Sequence, residues 1–276
     1  MSANALVLTA SVVLYKTRPE IVETIISCFR NSNIEYKLYL IDNSPTDALR
    51  NYCEGPDCEY LYSGKNLGYG KGNNLAIKKV LDLSKYHLVC NPDIRFDGTV
   101  LKNLVEAMDK APDAGLMMPK VFYNDGSVQH LCKMLPTPAD LFMRRFLPEF
   151  GFARKRNEQY ELRSSGYNKV MNVPYLSGCF MFFRTSVLKE IGLFDERIHL
   201  YIEDADLSRR IHQKYQTLFN PAIEIFHGYT KGSYKTLKLT FWNIHGATIY
   251  FNKWGWFFDP ERRKINKWLE KEYLRG

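Results

Sequence analysis

Tyr-His-Leu-Val-Cys-Asn-Pro-Asp, residues 86–93, is an apolar segment that ends in a polar turn. A short apolar run bounded by a turn signal is typical of a fully buried β-strand. An aspartate directly after such a strand offers hard carboxylate oxygens to a divalent cation. Because Asn-Pro-Asp is also a common turn sequence, Asp93 has two interpretations, a metal ligand and an ordinary loop aspartate.

The same pattern of apolar segment and turn recurs through the first 120 residues, with helical periodicity in between. Strands are predicted at 6–15, 36–41, 60–62, 86–90 and 115–118, and helices at 17–29, 68–83 and 100–108. This alternation predicts a mostly parallel, Rossmann-like α/β sheet with helices on both faces. Ligands bind at the carboxyl ends of the strands in such sheets, so Tyr15, Asp42 and Asp93 are expected to face one crevice.

A second acidic segment, Ile-Glu-Asp-Ala-Asp at 202–206, opens a run with helical periodicity. The free N–H groups and the dipole of a helix N-terminus stabilise a carboxylate as an anion. Such a carboxylate suits a general base, and Asp204 and Glu203 are the candidates because apolar residues precede them. Asp206 is better explained as an N-terminal helix charge that forms an i,i+4 pair with Arg210.

A glycine-rich segment, Asn-Leu-Gly-Tyr-Gly-Lys-Gly-Asn-Asn, occupies residues 66–74. Its glycine spacing matches neither the dinucleotide-binding fingerprint nor the Walker A loop. It predicts a tight loop before a helix, whose backbone N–H groups can approach a phosphate. His227 follows an apolar strand much later in the chain, and a lone histidine in that setting is most often structural.

The second half of the chain has weaker patterns. Residues 133–172 predict a mobile loop or a flap over the acceptor site. Strands are expected at 173–176 and 179–183 around a tight turn, and a strand pair is expected at 218–226, broken at Asn220-Pro221. Helices are predicted at 235–251 and 261–273.

Composition limits the classes of protein that fit. The chain has 276 residues, of which 45% are hydrophobic, enough for one large domain with a sizeable core. Its formal net charge of +8 favours anionic partners such as nucleotides or acidic lipid headgroups. A nucleic-acid-binding protein is the competing class. The basic residues are dispersed and no RNA-binding motif occurs, so no nucleic-acid partner is predicted.

Cysteine spacing and hydropathy bear on metal content and location. The six cysteines form no CxxC pair, so a zinc site is not predicted. The N-terminus lacks the basic region of a signal peptide, and no apolar run reaches the ~20 residues of a membrane span. We therefore expect a cytoplasmic protein.

Taken in order, these motifs resemble those of the family 2 glycosyltransferases, which have the GT-A fold, and in particular their bacterial rhamnosyltransferase-like branch. The similarity runs from about residue 8 to residue 230. The motifs are Ser-Val-Val-Leu-Tyr at 11–15, Ile-Asp-Asn-Ser at 41–44, Asn-Leu-Gly-Tyr-Gly at 66–70, Asn-Pro-Asp at 91–93, Ser-Gly-Cys-Phe at 177–180, Gly-Leu-Phe-Asp-Glu at 192–196 and Tyr-Ile-Glu-Asp-Ala-Asp-Leu at 201–207.

The resemblance implies catalytic and metal-binding roles at matching positions. Asp204 corresponds to the general base of inverting members, with Glu203 beside it as the second catalytic candidate. Residues 91–93 take the place of the metal-binding Asp-x-Asp motif, and Asn91 replaces its first aspartate. Asp93 and His227 are therefore expected to bind a divalent cation, Mg²⁺ or Mn²⁺.

The resemblance also implies two binding surfaces. Asp42 is expected to accept a hydrogen bond from a pyrimidine N–H, with Tyr15 bordering the same nucleoside. The full set expected to bind the donor nucleotide is Tyr15, Thr17, Arg18, Asp42, Asn43, Asn66, Gly68, Tyr69 and Asn91. The acceptor is expected to bind at Ser177, Gly178 and Arg210.

The activity implied by the resemblance is inverting transfer of a sugar. The expected donor is dTDP-rhamnose, which supplies L-rhamnose to a hydroxyl of a saccharide acceptor, expected to be lipid-linked. The expected process is synthesis of a bacterial cell-surface polysaccharide, such as the O-antigen of lipopolysaccharide or a capsule. A UDP-sugar donor, UDP-galactose or UDP-N-acetylglucosamine, is the alternative. A sugar-binding scaffold without activity fits less well, because Asp93 and Asp204 are both present.

We divide the chain into a catalytic domain at 1–230 and a C-terminal helical extension at 231–276. Within the first, 1–120 is expected to bind the nucleotide sugar and 121–230 the acceptor. The extension mixes aromatic and basic residues, which suits a peripheral contact with an anionic membrane at its cytoplasmic face. The competing interpretation packs the aromatics on the catalytic domain. The residues concerned are Lys253, Trp254, Trp256, Phe257, Phe258, Arg262, Arg263, Lys264, Lys267, Trp268, Lys271 and Arg275.

Overall fold

The structure of the chain is a computed structural model, which describes residues 6–147, 151–228 and 237–274. Its strands are β1 (Leu6–Leu14), β2 (Tyr36–Asp42), β3 (Cys58–Tyr62), β4 (Ser84–Cys90), β5 (Ile94–Arg95), β6 (Ala114–Phe122), β7 (Cys132–Lys133), β8 (Met171–Asn172), β9 (Tyr175–Leu176), β10 (Phe180–Arg184) and β11 (Gln216–His227). Its α-helices are α1 (Pro19–Arg30), α2 (Tyr69–Val80), α3 (Val100–Asp109), α4 (Pro138–Phe146), α5 (Gly151–Tyr160), α6 (Thr185–Ile191), α7 (Glu203–His212), α8 (Leu237–Trp254) and α9 (Pro260–Leu269).

A central sheet runs in the order β3-β2-β1-β4-β10-β6-β11-β5, with β8 paired to β11. Strands β3, β2, β1 and β4 are parallel to one another, and β6 is parallel to β11. Strand β10 runs antiparallel between these two blocks. Leu14 pairs with Asp42 and Val12 pairs with Cys90, so the carboxyl ends of β1, β2 and β4 lie at one edge of the sheet.

Strand β1 shows how the sheet is covered on both faces. Leu8 and Val12 are fully buried in the apolar cluster that also contains residues of α1 and α3. Because side chains alternate along a strand, Val13 points to the opposite face, where it packs with Ala76 of α2. The α/β class predicted from the alternating pattern is confirmed.

The two strands expected on either side of Ser177 and Gly178 are present as β9 and β10. They belong to different sheets, since β9 pairs with β7 while β10 enters the central sheet between β4 and β6. The strand pair expected at 218–226 is wrong. Segment 216–227 is a single strand and not a pair. Its pairing with β6 shifts register between Asn220 and Glu224, and this irregularity accommodates the intervening proline.

The segment expected to be a loop or flap, 133–172, contains helices α4 and α5 in its described part. Helix α4 begins with a capping box in which Thr137 Oγ1 accepts from the Asp140 N–H, while Asp140 Oδ2 accepts from the Thr137 N–H. The sequence contains this Thr-x-x-Asp signature, which indicates a helix start even though the hydrophobic periodicity of the segment is weak.

Helices α8 and α9 are anchored on α7. Arg209, which is 1% exposed, donates to both carboxylate oxygens of Asp259 at 2.8 and 2.9 Å. Lys253 and Trp254 donate to the buried carboxylate of Asp206, at 2.7 and 2.8 Å to Oδ1. Trp254 is thus held by the fold, as the packing interpretation of the C-terminal segment expected.

The remaining C-terminal aromatics differ in exposure. Phe257 and Phe258 are 88% and 76% exposed, so they stay available to an external surface. Within the described residues, no helix is both long enough and apolar enough to span a bilayer. The domain boundary predicted at 230–231 and the basic residue Arg275 lie outside the described residues.

Candidate active site

The end of β2 supplies a fixed carboxylate. Asp42 is fully buried; its Oδ1 accepts from the Ser44 N–H at 2.8 Å, and its Oδ2 accepts from the Tyr60 hydroxyl at 2.5 Å. The next residue, Asn43, is also buried and donates from Nδ2 to the Gly68 carbonyl at 3.0 Å. Asn43 therefore ties the end of β2 to the glycine-rich loop.

The glycine-rich loop requires glycine at its turn. Gly68 has a φ of +86°, and a Cβ at this position would lie 2.2 Å from the His199 carbonyl oxygen. Its N–H donates to Asn66 Oδ1 at 2.9 Å, which closes the turn ahead of α2. The loop can approach the segment before α7 only because position 68 lacks a side chain.

The end of β1 lies beside Asp42. Tyr15 follows Leu14 and is 43% exposed, and its N–H donates to Thr17 Oγ1 at 3.2 Å. Arg18 is exposed at the N-cap of α1. The structure thus brings the predicted nucleotide-binding residues from the ends of β1 and β2 to one edge of the sheet, next to the glycine-rich loop.

A histidine and a carboxylate meet where β4 and β11 end. His227 Nε2 lies 3.3 Å from Asp93 Oδ1 and 3.3 Å from Asn91 Nδ2. On the other side of the ring, His227 Nδ1 lies 3.0 Å from Gln129 Oε1. Burial favours the neutral ring, but hydrogen bonds and charges from Asp93 and Cys179 outweigh it and raise the pKa of His227 to about 10.

The base candidate Asp204 is held by three hydrogen bonds. Its Oδ2 accepts from the Gly178 N–H at 2.8 Å, and its Oδ1 accepts from the Tyr175 hydroxyl at 3.2 Å and from the Ala205 N–H at 2.9 Å. Tyr69 donates its hydroxyl to the Gly178 carbonyl at 2.6 Å. Gly178 therefore connects the donor-side loop to the carboxylate, and Tyr69 acts in the described contacts as a positioning residue.

The residues just before α7 adopt an unusual backbone conformation. Tyr201 and Ile202 both have a positive φ, of 68° and 66°. A left-handed conformation costs free energy in bulky residues and persists only where the surroundings impose it. It turns the chain sharply, so that Glu203 and Asp204 start the helix in different environments.

Glu203 is 5% exposed, and its Oε2 has no hydrogen-bond partner in the described part of the chain. Burial, and secondarily the charge of Asp204, raise the pKa of Glu203 to about 8. At neutral pH this side chain is therefore mostly a neutral acid. A protonated, buried acid is poorly suited to accept a proton, which distinguishes it from its partly exposed neighbour Asp204.

We predict that the free energy of unfolding of Glu203→Gln, measured relative to that of the wild type, increases as the pH rises from 5 to 8. The folded protein keeps the Glu203 proton between the usual pKa of 4.5 and about 8, whereas the unfolded chain loses it. The stabilising contribution of the neutral acid is complete below that window and is lost as the pH rises through it. Urea unfolding at several pH values should show a difference that grows by roughly 1 kcal/mol per pH unit.

Glu190→Gln is the control for that experiment. Hydrogen bonds from Tyr215 and Lys214 lower the pKa of Glu190, so its titration lies below the window. Its stability difference from the wild type should stay constant between pH 5 and 8. A constant difference for Glu203→Gln as well would mean that Glu203 is not held neutral.

Two predicted acceptor-side residues have different surroundings. Ser177 is partly exposed and precedes Gly178, whose N–H donates to Asp204 Oδ2. Arg210 instead donates to Asp206 Oδ2 at 2.9 Å and to the backbone carbonyls of Ile191 and Leu193. These contacts give Arg210 a structural role, in contrast to the acceptor-binding role predicted for it. The i,i+4 pair between Asp206 and Arg210 is confirmed.

The sequence interpretation missed three residues that contact the site. Tyr175 orients Asp204, Tyr60 contacts Asp42, and Gln129 contacts His227. Their partners lie far away in sequence, so spacing gave no signal. Tyr60 had a weak signal, because it lies in a strand predicted to be adjacent to the one that ends at Asp42.

The site can now be compared with known proteins. The family model of glycosyl transferase family 2 matches residues 9–192. The chain belongs to glycosyl transferase family 2. The family predicted from the motifs is confirmed, and this family 2 protein is a glycosyltransferase.

Relatives of this glycosyltransferase include a rhamnosyltransferase. This chain is 26% identical over 236 residues to N-acetylglucosaminyl-diphospho-decaprenol L-rhamnosyltransferase from Mycobacterium tuberculosis. The alignment covers 80% of this chain and 76% of the relative. This chain is also 26% identical over 175 residues to the low-salt glycan biosynthesis hexosyltransferase Agl10 from Haloferax volcanii, covering 62% of this chain and 52% of the relative.

Solved structures share the fold. GalNAc-T7 with UDP, GalNAc and Mn²⁺ has a TM-score of 0.64 at 14% identity, and the match covers 98% of this chain and 57% of that one. The mannosyltransferase PcManGT from Pyrobaculum calidifontis with GDP-Man and Mn²⁺ has a TM-score of 0.61 at 15% identity, covering 98% and 70%. These similarities confirm the predicted GT-A fold of the family 2 glycosyltransferase.

Proposed function

We propose that this glycosyltransferase transfers L-rhamnose from dTDP-rhamnose, with inversion, to a hydroxyl of a lipid-linked saccharide during synthesis of a bacterial cell-surface polysaccharide. The observation that carries the activity is the carboxylate of Asp204, partly exposed and oriented by Gly178 and Tyr175. The relative whose name specifies an L-rhamnosyltransferase and a diphospho-decaprenol acceptor supports the choice of donor and acceptor class.

The proposed reaction is a single displacement. Asp204 accepts the proton of the acceptor hydroxyl while the hydroxyl oxygen attacks the anomeric carbon from the face opposite the nucleoside diphosphate, which leaves. This geometry inverts the anomeric configuration without a covalent enzyme intermediate. The Tyr175 hydroxyl and the Gly178 N–H hold the carboxylate in one orientation, which is the condition for efficient general base catalysis.

The donor nucleotide is proposed to bind at the edge formed by the ends of β1 and β2. Tyr15, with its exposed ring, borders the nucleoside. Asp42 is fully buried, so this edge would have to open on binding before the second lone pairs of its oxygens accept from a base N–H. The glycine-rich loop and the N-terminus of α2 face the diphosphate. Further residues proposed to line this subsite are Thr17, Arg18, Asn43, Asn66, Gly68 and Asn91.

The donor set at the ends of β4 and β11 fits a divalent cation. Asp93 Oδ1 and His227 Nε2 lie side by side, and the Gln129 contact at Nδ1 is the arrangement that orients a metal-binding histidine. No group of three potential ligands occurs among the described residues, so diphosphate oxygens and water would complete the coordination. A bound Mg²⁺ or Mn²⁺ would neutralise charge on the leaving diphosphate.

The acceptor is proposed to approach from the side of Ser177 and Gly178, within the half of the catalytic domain after residue 120. A lipid-linked acceptor places the enzyme at the cytoplasmic surface of a membrane, as a peripheral protein. The exposed rings of Phe257 and Phe258 are proposed to contribute to this contact. The boundary between catalytic domain and C-terminal extension is proposed at about residue 230.

A nucleotide panel tests the donor assignment. Thermal unfolding is measured with dTDP, UDP and ADP, each with Mg²⁺, and a nucleotide at ~100 times its Kd should stabilise the fold by about 2.7 kcal/mol. A larger shift with dTDP than with UDP, followed by rhamnose transfer from dTDP-rhamnose to an N-acetylglucosaminyl diphosphate lipid, is the expected result. A larger shift with UDP would favour the UDP-sugar donor, and no shift with either would refute the proposed donor site.

A further inference from the structure

An unpaired lysine lies beside the base carboxylate. Lys133 on β7 is directly opposite Tyr175 on β9, and its Nζ lies 4.6 Å from the centre of the Tyr175 ring. The hydroxyl of that same tyrosine donates to Asp204. The ammonium therefore lies over the face of the Tyr175 ring, and the Asp204 carboxylate lies at the hydroxyl end of the same side chain.

The charge of Lys133 is not matched by a partner. The side chain is partly buried, and within the described residues it forms no ion pair and no hydrogen bond. Burial and the nearby Arg144 lower its pKa, while the charges of Asp204 and Glu161 act in the opposite direction. The face of the Tyr175 ring offsets only part of the cost of taking this cation out of water, so an anion bound here would stabilise it further.

A second cation near Lys133, Arg144, already forms an ion pair but still contributes positive charge to this region. Arg144 on α4 donates to Glu161 at 2.6 Å and to Asn157 at 3.1 Å. Glu161 also accepts two hydrogen bonds from Arg163. One carboxylate is thus shared by two guanidinium groups, which leaves a net positive charge on this side of the acceptor region.

We propose that Lys133, assisted by Arg144, binds the diphosphate that joins the acceptor sugar to its lipid. The identity of this ligand rests on the proposed function. In this arrangement the acceptor sugar lies between Asp204 and Lys133, with its hydroxyl at Asp204 and its diphosphate at Lys133. Lys133 is then an acceptor-binding residue.

Binding of farnesyl diphosphate, measured by calorimetry with EDTA present, tests the subsite without a sugar donor. EDTA removes any binding through a divalent cation at the donor site. We expect Lys133→Met to weaken binding at least tenfold relative to the wild type. Lys120→Met is the matched control, because Lys120 is also partly buried with its Nζ over a ring, that of Phe122 at 5.3 Å. Its affinity should remain within twofold of the wild type.

Further ligands and variants show which part of farnesyl diphosphate is responsible for its binding. Inorganic pyrophosphate should lose affinity for Lys133→Met by a similar factor, because the proposed contact is to the diphosphate and not to the lipid chain. No binding by the wild type, or equal binding by Lys133→Met and Lys120→Met, would overturn the subsite. Lys133→Gln replaces Lys133→Met if the latter does not fold.

A transfer assay links the subsite to the reaction. Lys133→Met should raise KM at least tenfold for an N-acetylglucosaminyl diphosphate lipid and leave KM for the sugar nucleotide unchanged. An alkyl glycoside without phosphate should be used equally well by the variant and the wild type. Absence of transfer by the wild type would refute the proposed function, while the binding experiment would still decide the subsite.

Discussion

Asp204→Asn is expected to lower the rate of sugar transfer by roughly 10²–10⁴-fold, the contribution of a positioned general base. The amide keeps the shape of the side chain and can still accept from the Gly178 N–H, but it cannot take the proton of the acceptor hydroxyl. Donor binding should change little, because the nucleotide contacts proposed here involve other residues. Steady-state transfer and nucleotide calorimetry on the same variant measure both quantities.

Glu203→Gln is the comparison that separates the two acidic residues. Glu203 is buried and mostly neutral at pH 7, so its amide should retain transfer to within about tenfold, the scale of a positioning effect. Transfer by Asp204→Asn within a few fold of the wild type would remove Asp204 from the role of base. A loss confined to Glu203→Gln would assign that role to Glu203.

Asp93→Ala is expected to weaken binding of the donor nucleotide by on the order of tenfold to a hundredfold when Mg²⁺ or Mn²⁺ is present, because it removes the anionic metal ligand. The wild type in EDTA should show the same loss, and EDTA should have little further effect on the variant. Calorimetry with dTDP, with and without the cation, provides the measurement. His227→Ala should show a smaller loss, because the raised pKa of His227 means that its ring must first release a proton before it binds the cation.

Asp97→Ala is the matched control for this prediction. Asp97 lies four residues later, and its carboxylate accepts from the N–H and hydroxyl of Thr99, away from the Asp93 and His227 pair. Its nucleotide affinity should equal that of the wild type with and without the cation. If the wild type binds dTDP equally well in EDTA and in Mg²⁺, Asn91 marks a site that works without a metal.

Local patterns predicted the sheet and its functional edge well. The strands ending at Leu14, Asp42 and Cys90 are short apolar runs followed by turn residues. Because these strands are buried on both faces, they consist almost entirely of apolar residues and can be identified from the sequence. Parallel strands place their carboxyl ends together, so Tyr15, Asp42 and Asp93 could be assigned to one edge before any contact was known.

Pairing across the second half could not be read in the same way. Strands β7 and β9 have two residues each, too short for periodicity to identify, and their partners are far away in sequence. Their pairing nevertheless places Lys133 opposite Tyr175, whose hydroxyl donates to Asp204. The role of Arg210 depended likewise on the carbonyls of Ile191 and Leu193, which no helical spacing could indicate.

The sequence by itself determined the α/β class, the family and the candidates Asp93 and Asp204, because strand and helix periodicity and turn chemistry are properties of neighbouring residues. Only the tertiary structure decided which of the two acids at the start of α7 is buried, and which groups orient the other. Tyr69 and Gly178 are 109 residues apart, yet their contact supports Asp204. Burial and long-range hydrogen bonds set protonation and orientation, and both arise only when distant segments pack together.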